Sequence, residues 1–214
     1  MSKKRIEING LQYLDIKDLE QSVNCLTDAF REDPCLKYLL QSEEYDPEKA
    51  KHIHEYTLRY GLRFGHVFTT GHDSEGISIW IPPECKNTSL HIAWMFIRSG
   101  GLKLDKLVNP GTVDIIKKYG DYSGKLHHQS IIKPHWYLMS IGVAPRFQGQ
   151  GFAKKLITPM LNYFDKHAQS CYLETHNPRN VAIYQKYGFK VTTTGKLPDS
   201  EQTHWSMLRE PQKR

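Results

Sequence analysis

Between residues 136 and 208, strand-type and helix-type patterns alternate at close intervals, and no other feature limits the fold of this chain as tightly. The run Trp136-Tyr-Leu-Met-Ser-Ile-Gly-Val143 reads as a strand, 151–167 as an amphipathic helix, 171–175 as a strand and 180–187 as a short helix. Further strands are expected at 189–194 and 203–208. Strand, helix and strand joined by connections this short form a right-handed crossover, with helices packed over a sheet. The expected class is α/β or α+β with a mixed sheet.

The first half supplies helices and one strand pair. Residues 15–40 carry apolar positions at Val23, Leu26 and Phe30, an amphipathic helical spacing that Asp33-Pro34 interrupts. Asp46-Pro47 has the composition of an N-cap and first helical residue, so a second helix extends through 52–64 and closes at Gly65. Residues 67–70 and 77–81 are short β-type runs around the turn-rich 71–76, and Pro82-Pro83 stops the second. Residues 89–133 have helical composition broken at Gly100-Gly101 and Asn109-Pro-Gly111, which predicts a helical insertion. With no repeat and no long linker, the 214 residues read as one domain carrying this insertion.

Composition removes several function classes. With 39% apolar and 24% charged residues the chain is neither disordered nor low-complexity. No window approaches the roughly 18 to 20 apolar residues of a membrane span, and polar residues follow Met1-Ser-Lys-Lys-Arg5, so no membrane partner and a cytoplasmic address are expected. Cys25, Cys35, Cys85 and Cys171 form no CxxC and read as reduced thiols. His52 and His54 do not share a helix face and His127-His128 are adjacent, so no metal site is expected. The Asn87-Thr-Ser89 sequon has no role in a cytoplasmic chain. The net charge of +6 allows an anionic partner, but Lys and Arg are spread along the whole length rather than in an aromatic-interleaved stripe, so nucleic acid is not expected.

Chemistry concentrates in Gly142-Val-Ala-Pro-Arg-Phe-Gln-Gly-Gln-Gly-Phe-Ala-Lys-Lys-Leu156, a glycine-containing loop between a strand and a helix. Such a loop lets backbone N–H groups approach a phosphate at a helix N-terminus. It is neither the dinucleotide fingerprint, because residue 154 is lysine where GxGxxG needs glycine, nor a Walker loop. On these residues alone, Gly149 and Gly151 equally suit a plain tight turn, and Tyr184 a core position.

Gln148-x-x-Gly151-x-Ala153 resembles the acetyl-CoA signature of the GNAT N-acetyltransferase superfamily, and Leu173-Glu-Thr and Asn177-Pro-Arg-Asn-Val-Ala-Ile-Tyr184-Gln-Lys-Tyr-Gly-Phe189 resemble its downstream blocks. The resemblance covers about residues 134 to 211, where it is closest to the puromycin N-acetyltransferases. It implies a largely antiparallel mixed sheet around a βαβ acetyl-CoA-binding core with flanking helices. It also implies that Gln148, Gly149, Gln150, Gly151, Phe152 and Ala153 meet the pyrophosphate, that Ile141, Gly142 and Val143 pair with the pantetheine arm, and that Asn180 and Lys186 complete the cosubstrate site. Tyr184 is the implied general acid for the departing CoA thiolate, since a phenol near 10 stays protonated where a thiol near 8.5 leaves.

Many relatives carry a glutamate in the strand before the loop, and residues 136–143 contain none. Glu174 is therefore the candidate base, with His135 and His176 as further possibilities. Asp33, Trp80 and Tyr122 are candidates for an acceptor pocket, because an acidic and aromatic lining suits a cationic amine. The expected activity is acetyl transfer from acetyl-CoA to a primary amine of a small molecule. The alternatives are a protein or peptide N-acetyltransferase and a non-catalytic acyl-CoA-binding module. Part of the positive charge (Arg146, Lys154, Lys155, Arg179 and Lys186) then belongs to the cosubstrate, and the Lys3-Lys4-Arg5 and Lys213-Arg214 ends read as solvated surface. Pro159, inside the helix after the loop, has no local explanation.

Overall fold

Aspartate-proline pairs start two helices of the first half. β1 (Gln12–Tyr13) leads through a 3-10 turn at Ile16–Asp18 into α1 (Leu19–Ala29), and α2 (Pro34–Leu40) begins where Asp33 Oδ1 accepts the Leu36 N–H at 3.1 Å. Asp46 caps α3 (Pro47–Phe64) by accepting the N–H groups of Glu48 and Lys49. β2 (His66–Thr69) and β3 (Gly76–Ile81) form the strand pair, and α4 (Ser89–Arg98), α5 (Gly101–Leu107) and α6 (Thr112–Ser130) make up the insertion. The alternating half then runs β4 (Trp136–Val143), α7 (Phe152–Lys166), β5 (Cys171–Thr175), α8 (Pro178–Lys186), β6 (Lys190–Lys196) and β7 (Thr203–Arg209). This computed structural model describes residues 5–42, 44–71, 74–85 and 89–212, without the side chains of 89–92 and 105. The Asn87 sequon, Lys3-Lys4 and Lys213-Arg214 lie outside the described residues.

One short strand escaped the sequence reading. β1 spans two residues, too few for a periodicity to register, and is held by pairing to β2. Helix α7 runs through Pro159. Proline removes the donor for the Lys155 carbonyl, and Lys155 is exposed, so water can satisfy that group.

The seven strands are ordered β1-β2-β3-β4-β5-β7-β6, and β4 with β5 is the parallel pair in an otherwise antiparallel sheet. Side-chain alternation along β3 sorts the two faces. Ile77, Ile79 and Ile81 pack with Leu26 of α1 and Leu58 of α3, whereas Trp80 packs with Leu156, Met160 and Phe164 of α7. Trp80, expected in an acceptor pocket, is therefore a core residue. It is fully buried, edge-on to Phe164, and its indole N–H donates to Ser78 Oγ at 3.0 Å. A third apolar cluster, Leu36, Leu40, Ala50, Ile53, Leu104 and Val108, joins α2, α3 and α5.

The sheet opens at its parallel pair. β4 and β5 are in register at Trp136 with Cys171, Tyr137 with Tyr172 and Leu138 with Leu173, and there their pairing ends. β4 nevertheless continues to Val143 along β3, with a register shift that leaves Met139 as the extra residue. A bulge turns a strand and increases its twist, so β4 beyond Leu138 follows β3 away from β5. Clefts beyond the carboxyl ends of parallel strands are where ligands bind in such sheets.

Candidate active site

Where β5 has left, Ile141, Gly142 and Val143 line a cavity of about 710 Å³. Its other wall is the loop into α7. Gly149 (φ +77°) and Gly151 (φ +84°) are left-handed, and a Cβ added at either would meet nothing within 4 Å. Backbone angle, not crowding, selects glycine at both positions. Gln148 donates from Nε2 to the Val143 carbonyl at 3.0 Å, tying the loop to the strand end. The backbone N–H groups from Gly149 to Lys154 find no acceptor among the described residues. Free amides at the positive end of a 15-residue helix, with Arg31 and Lys154 lining the same cavity, suit a phosphorylated ligand.

A smaller cavity of about 230 Å³ adjoins the first, sharing Phe30, Asp33, Ile141, Asn180 and Tyr184. Tyr184 packs edge-on to Phe189 with ring centroids 5.8 Å apart, and its hydroxyl has no hydrogen-bond partner among the described residues. Burial, and then the nearby Asp33, push its pKa up, so it is protonated at neutral pH. Burial also pushes the Asp33 carboxyl up, opposed by the N–H groups of Leu36 and Cys35.

Glu174 lines the smaller cavity and is held by three hydroxyls. Ser123 donates to Oε1 at 2.7 Å, Tyr172 to Oε1 at 2.9 Å and Tyr119 to Oε2 at 3.1 Å. Tyr119 and Ser123 are four apart on α6 and so share a helix face. Tyr172, Glu174 and His176 alternate along one face of β5, and His176 lines the same cavity. Burial, and then His204, push the His176 imidazole down to about 3.

Residues 111–189, which span the glycine loop, Glu174 and Tyr184, match the Acetyltransferase (GNAT) family. The chain is an acetyltransferase that carries a GNAT-family domain over these residues. An uncharacterised N-acetyltransferase of Schizosaccharomyces pombe is 28% identical over 207 residues, covering 88% of this chain and 74% of that one. Among solved structures, arylalkylamine N-acetyltransferase 2 of Aedes aegypti superposes with a TM-score of 0.64 at 15% identity, covering 94% of this chain and 98% of that one. A histone acetyltransferase HPA2-related protein of Corynebacterium glutamicum superposes with a TM-score of 0.63 at 16% identity, covering 95% and 97%. At such identities the likeness is one of fold. GNAT acetyltransferases use acetyl-CoA, and the free amides and the larger cavity fit that ligand.

In this acetyltransferase eleven of the expected residues gather at the larger cavity: Asp33, Ile141, Gly142, Val143, Gln148, Gly149, Gly151, Phe152, Ala153, Asn180 and Tyr184. Gln150 is exposed and donates from its side chain to the Arg146 carbonyl. Lys186 lies at the far end of α8, lining a separate cleft with Asp165 and Arg209. Tyr122 lies one residue off the Tyr119–Ser123 face, edge-on to His204 and against Gly195, outside both cavities. His135 pairs its Nε2 with that of His127 at 2.5 Å and lines another cavity beyond Tyr137. Phe30, Arg31, Tyr119, Ser123, His204 and Ser206 escaped the sequence reading. A polar Tyr119-x-x-x-Ser123 stripe was the one local signal among them. No group of three His, Cys, Asp or Glu suited to a metal ion occurs among the described residues, and no described helix is long and apolar enough to cross a membrane.

Proposed function

We propose that this acetyltransferase moves the acetyl group of acetyl-CoA to the amine of a small molecule by direct attack. The observation that carries the reading is Tyr184, which lines both the loop-side cavity and the smaller one. Acetyl-CoA supplies an activated thioester. The amides of residues 149–154, with Arg31 and Lys154, hold its phosphates, and the free edge of residues 141–143 pairs with the pantetheine arm. An amide of that edge polarises the thioester carbonyl. Asp33 draws the cationic acceptor in, Glu174 accounts for the amine proton, and Tyr184 protonates the departing thiolate. Desolvation raises the basicity of that thiolate as it raises the phenol, so the transfer remains matched.

The smaller cavity is roofed by Leu36 and Leu39 of α2, Ile53 of α3 and Tyr119 of α6, and about 230 Å³ accommodates a small amine better than a polypeptide segment. The mosquito neighbour is named for arylalkylamines, an acceptor class of that size. The test is release of free CoA thiol from acetyl-CoA over a panel of arylalkylamines, polyamines, amino acids, aminoacyl-nucleosides and short peptides. Turnover with at least one small amine and none with peptides is expected. Turnover confined to peptides, or acetyl-CoA binding with no thiol release on any amine, overturns the proposal.

A further inference from the structure

Glu174 and His176 both face the acceptor-side cavity, and a second path joins them through the protein interior. His176 Nε2 lies 3.1 Å from His204 Nδ1, and His204 Nε2 lies 3.1 Å from Ser206 Oγ. Ser206 Oγ lies 2.9 Å from the Tyr172 hydroxyl, which lies 2.9 Å from Glu174 Oε1. The sheet builds this path. β5 and β7 pair antiparallel with Glu174 opposite Ser206 and Thr175 opposite Trp205, so Tyr172, Glu174, His176, His204 and Ser206 share one face. His204, Ser206 and Tyr172 are fully buried, which keeps bulk water from competing for these bonds.

Hydrogen-bond logic orients the whole chain. Tyr172 donates to Glu174 Oε1 at one end. The Tyr172 hydroxyl is placed to donate to Ser206 Oγ as well as to Glu174 Oε1 but has one proton; with that proton on the carboxylate side, Ser206 donates to the phenol oxygen, and by the same step His204 Nε2–H donates to Ser206 and His176 Nε2–H to His204 Nδ1. His176 is thereby left with a bare Nδ1.

We propose that these five side chains act as one proton relay, in which His176 takes the acceptor's proton at Nδ1 and Glu174 stores it. The relay rests on the transfer reaction proposed above. As the proton binds Nδ1, the Nε2 proton of His176 passes to His204 Nδ1, that of His204 Nε2 to Ser206, that of Ser206 to Tyr172 and that of Tyr172 to Oε1. One proton enters, the carboxylate becomes a carboxylic acid, and both imidazoles end neutral as the other tautomer. Burial makes His176 a poor resting place for a proton, so the proton moves on. The neighbouring rings, Tyr119 against His176 and Tyr122 against His204, are phenols raised by burial and carry no charge to divert it. His176 is the residue that touches the acceptor; His204, Ser206 and Tyr172 are positioning residues.

Ser206→Ala and Tyr172→Phe each cut the path outside the cavity, the second at nearly constant volume. With an amine that the wild type acetylates, each should lower kcat by about 100-fold and leave the KM for acetyl-CoA unchanged. Glu174→Gln should do the same, and adding Ser206→Ala to it should lower kcat no further, because both act through one chain. Multiplying losses, or wild-type kcat in either path variant, overturns the relay. A wild type that releases no thiol with any amine overturns the transfer reaction itself and removes the relay with it.

Discussion

Removing one oxygen from Tyr184 separates chemistry from packing. In Tyr184→Phe the ring keeps its edge-on contact with Phe189 at 5.8 Å and its place against the α7-side core. The lost hydroxyl bonded to no described residue, so no buried partner is orphaned, and stability should hold within about 0.5 kcal/mol. For a chain of this size that corresponds to about 2 °C or less in Tm. The loop amides and the 141–143 edge are untouched, so the KM for acetyl-CoA should change by no more than about twofold. The loss should therefore appear in kcat, about 10² to 10⁴-fold for a deleted general acid, equivalent to about 3 to 5 kcal/mol of barrier. Steady-state thiol release and a thermal melt on the same preparation read both quantities. A kcat within threefold of wild type refutes the acid role. A matching loss accompanied by a fall of many degrees in Tm refutes the claim that the hydroxyl is dispensable to the fold.

Other expectations follow from the same geometry. Gly151→Ala imposes a side chain on φ +84°, costing about 1–2 kcal/mol with no clash to relieve, and should raise the KM for acetyl-CoA while kcat at saturation is kept. Asp165→Ala strips Arg209, 3% exposed, of two hydrogen bonds at 2.7 and 2.8 Å; the uncompensated cation should cost about 3–5 kcal/mol, read as a lower urea midpoint. His54 is buried and its pKa is pushed down to about 4 by burial. Because the folded value lies below the unfolded one, its contribution is present above about pH 6.5 and is lost as pH falls toward 4, a change of about 3 kcal/mol. Urea midpoints at pH 7 and pH 4.5 should therefore converge in His54→Leu; an unchanged gap would assign the acid sensitivity elsewhere.

Local signals carried far where the physics is local. Asp46-Pro47 marks a helix start because a carboxylate satisfies the first free amides and proline needs no donor there, and its cap forms as the pattern implies; Asp33-Pro34, read only as an interruption, starts a helix by the same chemistry. Gly149 and Gly151 mark a loop because it needs left-handed backbone. Trp80 shows the limit. Its aromatic character suited an acceptor pocket, yet strand alternation turns it toward α7, and only pairing with β2 and β4 decides which face of β3 meets which helix. Lys186 follows the same rule, since its helix delivers it to the opposite end from the loop.

By itself, the sequence determined the alternating elements, the glycine loop between strand and helix and the family they resemble, because periodicity, capping and backbone preference act over a few residues. Tertiary structure alone decided that β4 and β5 part beyond Leu138 and Leu173, that Tyr184 lines two cavities, and that Tyr119, Ser123 and Tyr172 converge on Glu174. It also decided that His204 and Ser206 complete a path between His176 and Glu174. Those meetings depend on sheet order and register, which bring together residues far apart in the chain and which no short window of sequence encodes.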